Sequence, residues 1–309
     1  MTSSLADGGP DLIHARFDPG ALTAWTPTRT FFVDPDVCRR YAAATNEDDP
    51  ERWASGVAPP LACVVATVPH VHTVLQRNVP ERARAENRSV HGEHDVRYPE
   101  PVVPGRTLLV RGRLYGVHPR STGTALVTLV EMTDPDTGRI VHEQYFVNFL
   151  RGVMTDEAIG QAPAGHRLPD IASLGEPATA TTYEIDADQT FRYADASEDR
   201  SIYHLDDAAA RAAGFAGIIV HGLCTMAFAG RAVVSGACAG DASRLRRLAV
   251  RFSRPMYPGH AMTTTLWSAM APGETAGLFR FRVNDDQDAT VITDGLAEVG
   301  PAGENGGAT

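Results

Sequence analysis

The sequence predicts an α+β chain that contains one domain twice. An Asp-x-Asp segment followed by Arg-Tyr-Ala stands at residues 34–42 and again at 186–194, an offset of 152 residues. A second pattern, Val-Arg-aromatic followed by Pro and then Pro-Gly, stands at 96–105 and at 250–259, an offset of 154. Two patterns in the same order with nearly equal offsets indicate a duplication. In both copies a long apolar run precedes strand-like runs, which favours one long helix followed by an antiparallel meander.

Composition limits the class of protein. The 309 residues suffice for roughly two domains. The net charge of −10 argues against nucleic-acid binding, which needs clustered Lys and Arg. No apolar stretch of about 18 residues is available to span a membrane. The first 20 residues lack the charged-then-apolar order of a signal peptide, so we expect a cytoplasmic protein. The four cysteines form no C-x-x-C pair and are expected to be reduced and buried.

The repeat also predicts the domain boundaries. We expect an N-terminal repeat at 25–152 and a C-terminal repeat at 176–300. Residues 153–175 are rich in Pro and Gly without a period, which is typical of a linker. Residues 1–24 are expected to be disordered or irregular, and residues 301–309 to form a disordered tail.

The first repeat is predicted to open with the strand Thr30–Val33. Asp34 follows as the N-cap of a short helix, because its carboxylate can accept from the free N–H groups of the first turn. The apolar run Leu61–Leu75 predicts the long helix, and residues 133–138 predict a hairpin turn. Runs rich in β-branched and aromatic residues predict four strands, Val96–Tyr98, Thr107–Tyr115, Thr124–Met132 and Ile140–Leu150.

The second repeat is predicted to follow the same order. The strand Thr182–Ile185 precedes Asp186, which takes the N-cap position, and the long helix spans Ile219–Val234. A turn at Asp285-Asp286 separates the last two strands. The predicted strands are Leu248–Phe252, Met262–Met270, Leu278–Val283 and Val291–Val299.

One segment of the second repeat concentrates groups suited to chemistry. Asp199 and His204 are five residues apart, which is not the spacing of a helix face. A loop with this spacing can bring a carboxylate and an imidazole to opposite sides of one small molecule, such as water. Asp206 can cap a short helix over residues 207–213 that ends at Gly214, and this cap would fix the loop.

The start of the second long helix is a candidate anion site. His221 and Gly222 stand where the apolar run begins. The first N–H groups of a helix lack an internal acceptor, and the helix dipole favours negative charge there. Glycine has no side chain to block access, so the Gly222 amide is a candidate oxyanion donor.

Residues 193–226 resemble the hydratase motif of the MaoC-like dehydratases, the (R)-specific enoyl-CoA hydratases also called hydratase 2. The motif runs Ser-Gly-Asp-x-Asn-Pro-x-His-x-Asp, then Gly-Phe and Ile-x-His-Gly. This sequence matches it without a gap at Ser197, Asp199, His204, Asp206, Gly214, Phe215, Ile219, His221 and Gly222. Residues 251–259 resemble the strand that follows. The first half, with its His-Gly-Glu at 91–93, is similar to the diverged N-terminal copy of double-hotdog members.

The resemblance implies a double hotdog fold, in which a curved antiparallel sheet wraps a long helix in each repeat. It implies that Asp199 and His204 hold and activate one water, and that the Gly222 N–H binds the thioester oxygen as it becomes enolate-like. The reaction would be the reversible hydration of trans-2-enoyl thioesters or the dehydration of (R)-3-hydroxyacyl thioesters. CoA or an acyl carrier protein would carry the acyl group, and no metal or other cofactor would be required.

Four further residues are candidates for contact with the substrate: Ser201, Tyr203, His221 and Arg251. For His221, packing or a backbone contact at the helix start is favoured over direct catalysis. Arg251 belongs to a cluster of four arginines within residues 244–251. A solvated face is expected for this cluster, although a site for CoA or carrier phosphates stays open.

Two departures from the motif fall in the catalytic loop. Glu198 replaces a glycine and would raise the pKa of Asp199 if it pointed inward. Ser201 and Ile202 replace Asn-Pro, which gives a shorter donor and a less constrained loop. We expect an altered substrate or rate with the same reaction.

The first repeat lacks the pair. Glu47 and Arg52 occupy the positions equivalent to Asp199 and His204, so this copy is expected to serve substrate binding or packing. Prolines at 59, 60 and 69, with two histidines at 70 and 72, fit a pocket widened for an acyl chain. Those histidines, and the pair at 91 and 94, are expected to be structural, because no further ligand completes a metal site.

Three alternatives remain open at this level. They are a thioesterase of the same fold, a biosynthetic tailoring dehydratase with an unusual acyl thioester, and a non-catalytic acyl-thioester binder. The two repeats are expected to pair edge to edge within the chain, as a monomeric pseudo-dimer or a homodimer.

Overall fold

A computed structural model describes residues 11–47, 49, 53, 56–162, 169–270, 274 and 276–301. The helices are α1 Pro35–Ala44, α2 Val64–Asn78, α3 Glu81–Ala85, α4 Gln189–Ser197, α5 Asp207–Ala212 and α6 Gly222–Gly236. The strands of the first half are β1 Ile13–His14, β2 Arg29–Phe32, β3 Ser89–Arg97, β4 Thr107–Arg120, β5 Gly123–Thr133, β6 Ile140–Arg151, β7 Val153–Met154 and β8 Ile159–Gly160. Those of the second half are β9 Thr179–Glu184, β10 Leu245–Phe252, β11 Ala261–Ser268, β12 Gly277–Asp285 and β13 Thr290–Val299.

One large antiparallel sheet carries both halves. Its strand order is β2-β4-β5-β6-β3-β10-β13-β12-β11-β9, and β8 adds to β4. Read outward from the β3–β10 junction, each half shows the same sequence of equivalent strands. The two repeats therefore join edge to edge, which pairs two strand edges that separate domains would expose.

Equivalent residues of the two repeats meet at the centre of the molecule. The hydroxyls of Tyr41 and Tyr193, 152 residues apart, lie 3.0 Å from each other in the core. At the strand junction Arg247 binds both carboxylate oxygens of Asp95, at 2.9 and 2.6 Å. Both contacts are buried and tie one repeat to the other.

The long helices pack on the sheet and form the core. Helix α2 contacts β4 and β5, whereas α6 contacts β9, β10 and β11. Helix α6 is apolar on nearly every side and is buried from Leu223 to Val234 apart from Arg231. Among the described residues, no helix has the length and apolar character needed to cross a membrane. All four cysteines are free and buried, as predicted.

Most predicted elements are present with shifted ends. The cap by Asp34 is confirmed, since its side chain accepts from the amide of Asp36 at 2.8 Å. The prediction of Asp186 as an N-cap is wrong. Helix α4 begins three residues later with Asp188 at the N-cap position, and the carboxylate of Asp186 instead pairs with Arg192.

The segments flanking the first repeat contain more structure than expected. Residues 11–24, expected to be disordered or irregular, contain β1 and a 3-10 helix at Pro19–Thr23. Strand β1 pairs in parallel with β7, and β8 pairs with β4, so the beginning of the expected linker extends the first repeat. Apolar side chains such as Ile13 and Val153 pack together there, which explains why these two segments form regular structure. Residues 1–10, 163–168 and 302–309 lie outside the described part of the chain.

Candidate active site

The loop after α4 presents the predicted acid–base pair. Glu198 ends the helix in a left-handed conformation, with φ of 61°, which turns the chain sharply into the loop. A 3-10 turn, Ile202–His204, follows. Asp206 then caps α5 by accepting from the amide of Ala209 at 2.7 Å, as predicted. The loop is thus fixed between two helix ends. Glu198 is exposed rather than turned inward.

Asp199 is held by its neighbour Ser201. One oxygen of the carboxylate, Oδ1, accepts from the backbone amide of Ser201 at 3.1 Å and from its hydroxyl at 2.6 Å. Burial opposes ionisation of Asp199. Its pKa nevertheless lies below the ordinary value, because His221 and His204 are close and Ser201 donates to the carboxylate. Asp199 is therefore a carboxylate at neutral pH, with Oδ2 not engaged by any described residue.

His204 is buried and fixed in one tautomer. Its Nδ1 donates to the carbonyl of Ile219 at 2.8 Å, so Nε2 is the ring nitrogen that can accept a proton. Burial lowers its pKa, although the bond to Ile219 and the charge of Asp199 act in the opposite direction. The neutral imidazole stacks on the ring of His221, with centroids 3.8 Å apart and planes 24° apart.

His221 is bonded to the loop that carries Asp199. It is 1% exposed, and its Nε2 donates to the backbone carbonyl of Asp199 at 2.9 Å. Burial lowers its pKa to about 4, with a further contribution from His204. His221 therefore joins the loop to the start of α6, which agrees with a supporting role.

Gly222 begins helix α6 beside these side chains. It follows the N-cap residue His221, so its amide lies in the first turn of the helix, where N–H groups lack an acceptor within the helix. A Cβ atom at this position would lie 3.3 Å from the ring of Phe252. Glycine therefore leaves room for the ring and keeps the amide accessible from the cavity.

A cavity of about 310 Å³ opens on these groups. We call it the dyad cavity; it is lined by Asp199, His204, His221, Gly222, Phe252 and Arg254, among others. A second cavity of about 270 Å³, the first-repeat cavity, is lined by Asp199 together with Val68, Val71 and Leu75 of α2. Seven residues line both cavities, so the two cavities adjoin at the loop after α4. The location of the second cavity fits the predicted role of the first repeat in forming a pocket.

Two of the predicted substrate-contacting residues, Tyr203 and Ser201, line the cavities. Tyr203 lines both cavities, and its ring packs edge-on against His204 with centroids 4.8 Å apart. Burial and the charge of Asp199 raise its pKa. Ser201 also lines both cavities, although its hydroxyl is directed to Asp199.

Arg251 does not belong to this site, and the structure corrects that prediction. Val250 and Phe252 pack on the core side of β10, so the alternation of the strand places Arg251 on the opposite, exposed face. The other arginines of the cluster bind protein groups. Arg247 pairs with Asp95, and Arg244 donates to the carbonyl of Gly300. No arginine of this cluster lines either cavity, so it carries no phosphate site there.

Sequence reasoning missed several wall residues. Arg151, at the end of β6, and Arg254, after β10, line the dyad cavity. His91 lines both cavities. Arg254 lies in the Arg-to-Pro-Gly stretch already singled out, which could have indicated it. For Arg151 and His91 the position follows only from the pairing of β3 and β6, which no local pattern fixes.

The equivalent place in the first repeat is closed. Glu47, the counterpart of Asp199, forms an ion pair with Arg231 of α6, and both side chains are largely buried. The space beside them, lined also by Trp53 and Tyr41, is only about 10 Å³. Arg52 lies outside the described residues. Among the described residues, the cavity that opens on this part of the repeat therefore belongs to the second repeat.

Asp199, His204 and His221 could together hold a metal ion. One ligand atom from each lies within 4.8 Å of the others, and no other such set of three or more occurs in the described ranges. The same spacing suits one water molecule between the carboxylate and the imidazole.

Comparisons with known proteins identify the family of this chain. The MaoC-like domain family matches residues 171–275. 3-Hydroxyacyl-thioester dehydratase Y of Mycobacterium tuberculosis is 30% identical over 211 residues, which cover 66% of this chain and 70% of the relative. Probable enoyl-CoA hydratase 2 of Dictyostelium discoideum is 26% identical over 218 residues, covering 69% and 70% respectively.

Solved structures confirm the predicted fold. A MaoC-like dehydratase from Phytophthora capsici superposes with a TM-score of 0.75 at 23% identity, over 91% of this chain and 98% of the other. A Mycobacterium tuberculosis protein described as having a double hotdog fold gives a TM-score of 0.56 at 14% identity, over 88% and 93%. The chain has the double hotdog fold, and it belongs to the MaoC-like dehydratase family.

Proposed function

We propose that this protein is a hydro-lyase that adds water to trans-2-enoyl thioesters and removes it from (R)-3-hydroxyacyl thioesters. The observation that carries the proposal is the convergence of one ionised carboxylate and one neutral imidazole, within 4.8 Å, in a cavity beside the first turn of α6. The named activities of the relatives, an enoyl-CoA hydratase and a 3-hydroxyacyl-thioester dehydratase, support it.

In hydration, one water lies between Asp199 Oδ2 and His204 Nε2. Its oxygen attacks C3, one of its protons passes to the pair, and the π electrons of the C2–C3 bond move toward the thioester. The thioester oxygen becomes enolate-like and is bound by the N–H of Gly222. The pair then delivers a proton to C2, and the thioester is restored.

Dehydration uses the same groups in reverse. The pair removes a proton from C2, and the 3-hydroxyl leaves as water with a proton from the pair. The N–H of Gly222 again donates a hydrogen bond to the enolate-like oxygen. No redox step is needed, because the thioester already acidifies C2. His221 acts through Asp199, whose backbone carbonyl it holds.

The substrate lies across the two cavities. Arg151 and Arg254 supply positive charge at the wall of the dyad cavity, where phosphates of CoA or of a carrier protein's phosphopantetheine would bind. The acyl chain enters the first-repeat cavity along α2. Since the two repeats already form the complete site within one chain, a monomeric pseudo-dimer suffices for catalysis.

The direct test is hydration of crotonyl-CoA by the full chain, followed as loss of the enoyl absorbance, with chiral analysis of the product. We expect turnover and an (R)-3-hydroxy product. Binding without turnover across enoyl-CoAs of several lengths would instead favour a non-catalytic thioester binder, and release of free CoA a thioesterase. In the binder case the Glu198→Gly/Ser201→Asn variant tests whether the loop departures cause the defect.

A further inference from the structure

The wall of the first-repeat cavity combines apolar and polar side chains. Helix α2 lines it with Val68, Val71 and Leu75, which suit a hydrocarbon chain, and the exposed His72 and Arg84 line it as well. The sheet lines it with Ser89 and His91 of β3 and with Asn148 of β6. An aliphatic chain would pack favourably on the apolar side chains of α2 and would leave the polar side chains of the sheet without hydrogen bonds.

A bulge in β3 directs His91 to this wall. The pairing of β3 with β6 shifts between His91 and Glu93, which leaves Gly92 without a partner in the register. His91 and His94 consequently face the same side of the strand, and both rings contact Phe146, with centroids 5.4 and 4.3 Å away. Bulges commonly re-aim a side chain beside a functional site. In a regular strand, residues three apart would point to opposite faces.

Two atoms of this wall are buried and without a partner in the described structure. They are Nε2 of His91 and Oδ1 of Asn148. The two residues face each other directly across β3 and β6. The other end of the Asn148 amide lies 3.3 Å from the hydroxyl of Ser89. Because that hydroxyl can donate or accept, the amide can bond it with either end, and one end stays unpaired in both orientations.

The chemistry of these atoms selects the ligand group. Nε2 of His91 donates or accepts a hydrogen bond according to the tautomer of the ring, and it has no partner in the described structure. The free end of the Asn148 amide needs a donor or an acceptor, according to its orientation. A hydroxyl provides both, whereas a ketone or an ether has no hydrogen to give to the imidazole.

This hydroxyl is distinct from the reacting one. His204 and Gly222 line the dyad cavity only, Asn148 lines the first-repeat cavity only, and Asp199 lies between them. We propose that the preferred acyl group carries a hydroxyl beyond C3, bound between His91 and Asn148. The inference rests on the proposed function for the direction in which the substrate lies. It places the protein after a reaction that leaves an oxygen function on the chain, such as a hydroxylation or the reduction of a ketone.

The test measures binding, so that it does not depend on turnover. Saturated ten-carbon acyl-CoAs with a hydroxyl at carbon 6, 7 or 8 are titrated calorimetrically against the full chain, beside unsubstituted decanoyl-CoA. We expect at least one hydroxylated ligand to bind about tenfold more tightly. The matching methoxy ligand should bind less tightly than the hydroxylated one, because it can accept a hydrogen bond but cannot donate one. Equal binding of all hydroxylated and plain chains to the unmodified protein would overturn the proposal.

Variants locate the effect. Asn148→Leu, which keeps the side chain at a similar volume, should abolish the preference for the hydroxylated ligand while it binds decanoyl-CoA as well or better. Val71→Ala on the apolar wall is the matched control and should weaken both ligands with an unchanged ratio. A preference that persists in Asn148→Leu would also contradict the proposal. Absence of crotonyl-CoA hydration would defeat the proposed function alone, since the binding ratio is measured without chemistry.

Discussion

The hydroxyl of Ser201 donates a 2.6 Å hydrogen bond to the carboxylate of Asp199, in the loop where the family motif has asparagine. Together with the bond from the Ser201 amide, it fixes one carboxylate oxygen and leaves the other for a ligand. The shorter side chain therefore supports Asp199 directly. Serine in place of asparagine at position 201 therefore keeps a hydrogen bond to the carboxylate of Asp199.

Ser201→Ala removes that bond and should lower kcat for enoyl-CoA hydration about tenfold to a hundredfold, since a hydrogen bond to a charged group contributes about 1.5–3 kcal/mol. The chain offers a matched control. Ser243 donates to Asp241 at 2.6 Å in the same local geometry, away from both cavities. Ser243→Ala should leave kcat unchanged. Equal rates for the two variants would contradict the role of Ser201.

The pH dependence of kcat/KM should have its acid limb below the ordinary histidine pKa of about 6.5. Burial lowers the pKa of His204, so its imidazole is neutral and able to accept a proton above that limb. Activity should therefore fall as the pH is lowered through the shifted pKa. Circular dichroism at each pH separates this loss from unfolding. Activity that rises from pH 7 to pH 6 would require a protonated His204.

Gly222→Ala keeps the backbone N–H but should reduce kcat by about tenfold or more, because its methyl group would shift an oxyanion donor whose complete loss costs about 3 kcal/mol. The added methyl would lie 3.3 Å from the ring of Phe252 and would force the ring or the helix start to move. Gly230→Ala is the control in the same helix, where the methyl would lie 3.2 Å from Leu248. Comparable thermal stability with a selective loss of kcat in Gly222→Ala is the expected pattern. An unaffected kcat would contradict the requirement for glycine beside the proposed oxyanion donor.

The ion pair between Asp95 and Arg247 should matter for the stability of the repeat junction. Arg247→Met leaves a carboxylate that is buried at the β3–β10 pairing and should cost about 3 kcal/mol in free energy of unfolding. The double variant Asp95→Leu/Arg247→Met should regain most of that loss, because the buried carboxylate is gone and Glu298, the other partner of Arg247, is 45% exposed. Urea denaturation of the three proteins gives the values. A double variant as unstable as the single one would show that the cost has another origin.

The sequence predicts the architecture well because the repeat constrains it. All ten strands of the sheet path were expected, and their hydrophobic patterns follow from burial on one or both faces. Strand β3 was expected only from Val96, although it begins at Ser89. Its first half, with Ser89, His91 and Glu93, lacks the hydrophobic pattern of a strand, and Ser89 and His91 form part of the cavity wall.

The candidate site was predictable where it is local and not where it depends on pairing. Asp199, His204 and Gly222 come together through one loop and one helix start, and their spacing is visible in the sequence. Arg251 was misplaced because a basic residue in a strand gives no sign of which face it occupies. Asn148 lies more than fifty residues from the catalytic loop along the chain, and only the joining of two strands and two repeats brings it near.

The most direct test of the account is the rate of crotonyl-CoA hydration by Asp199→Asn and His204→Ala, beside the binding of a saturated acyl-CoA. If the two side chains share one water, each variant should lose about 10²–10⁴ in kcat, the range typical of general acid–base groups, while the acyl-CoA still binds. Either variant with kcat within about threefold of the unmodified protein would contradict the assignment of this pair.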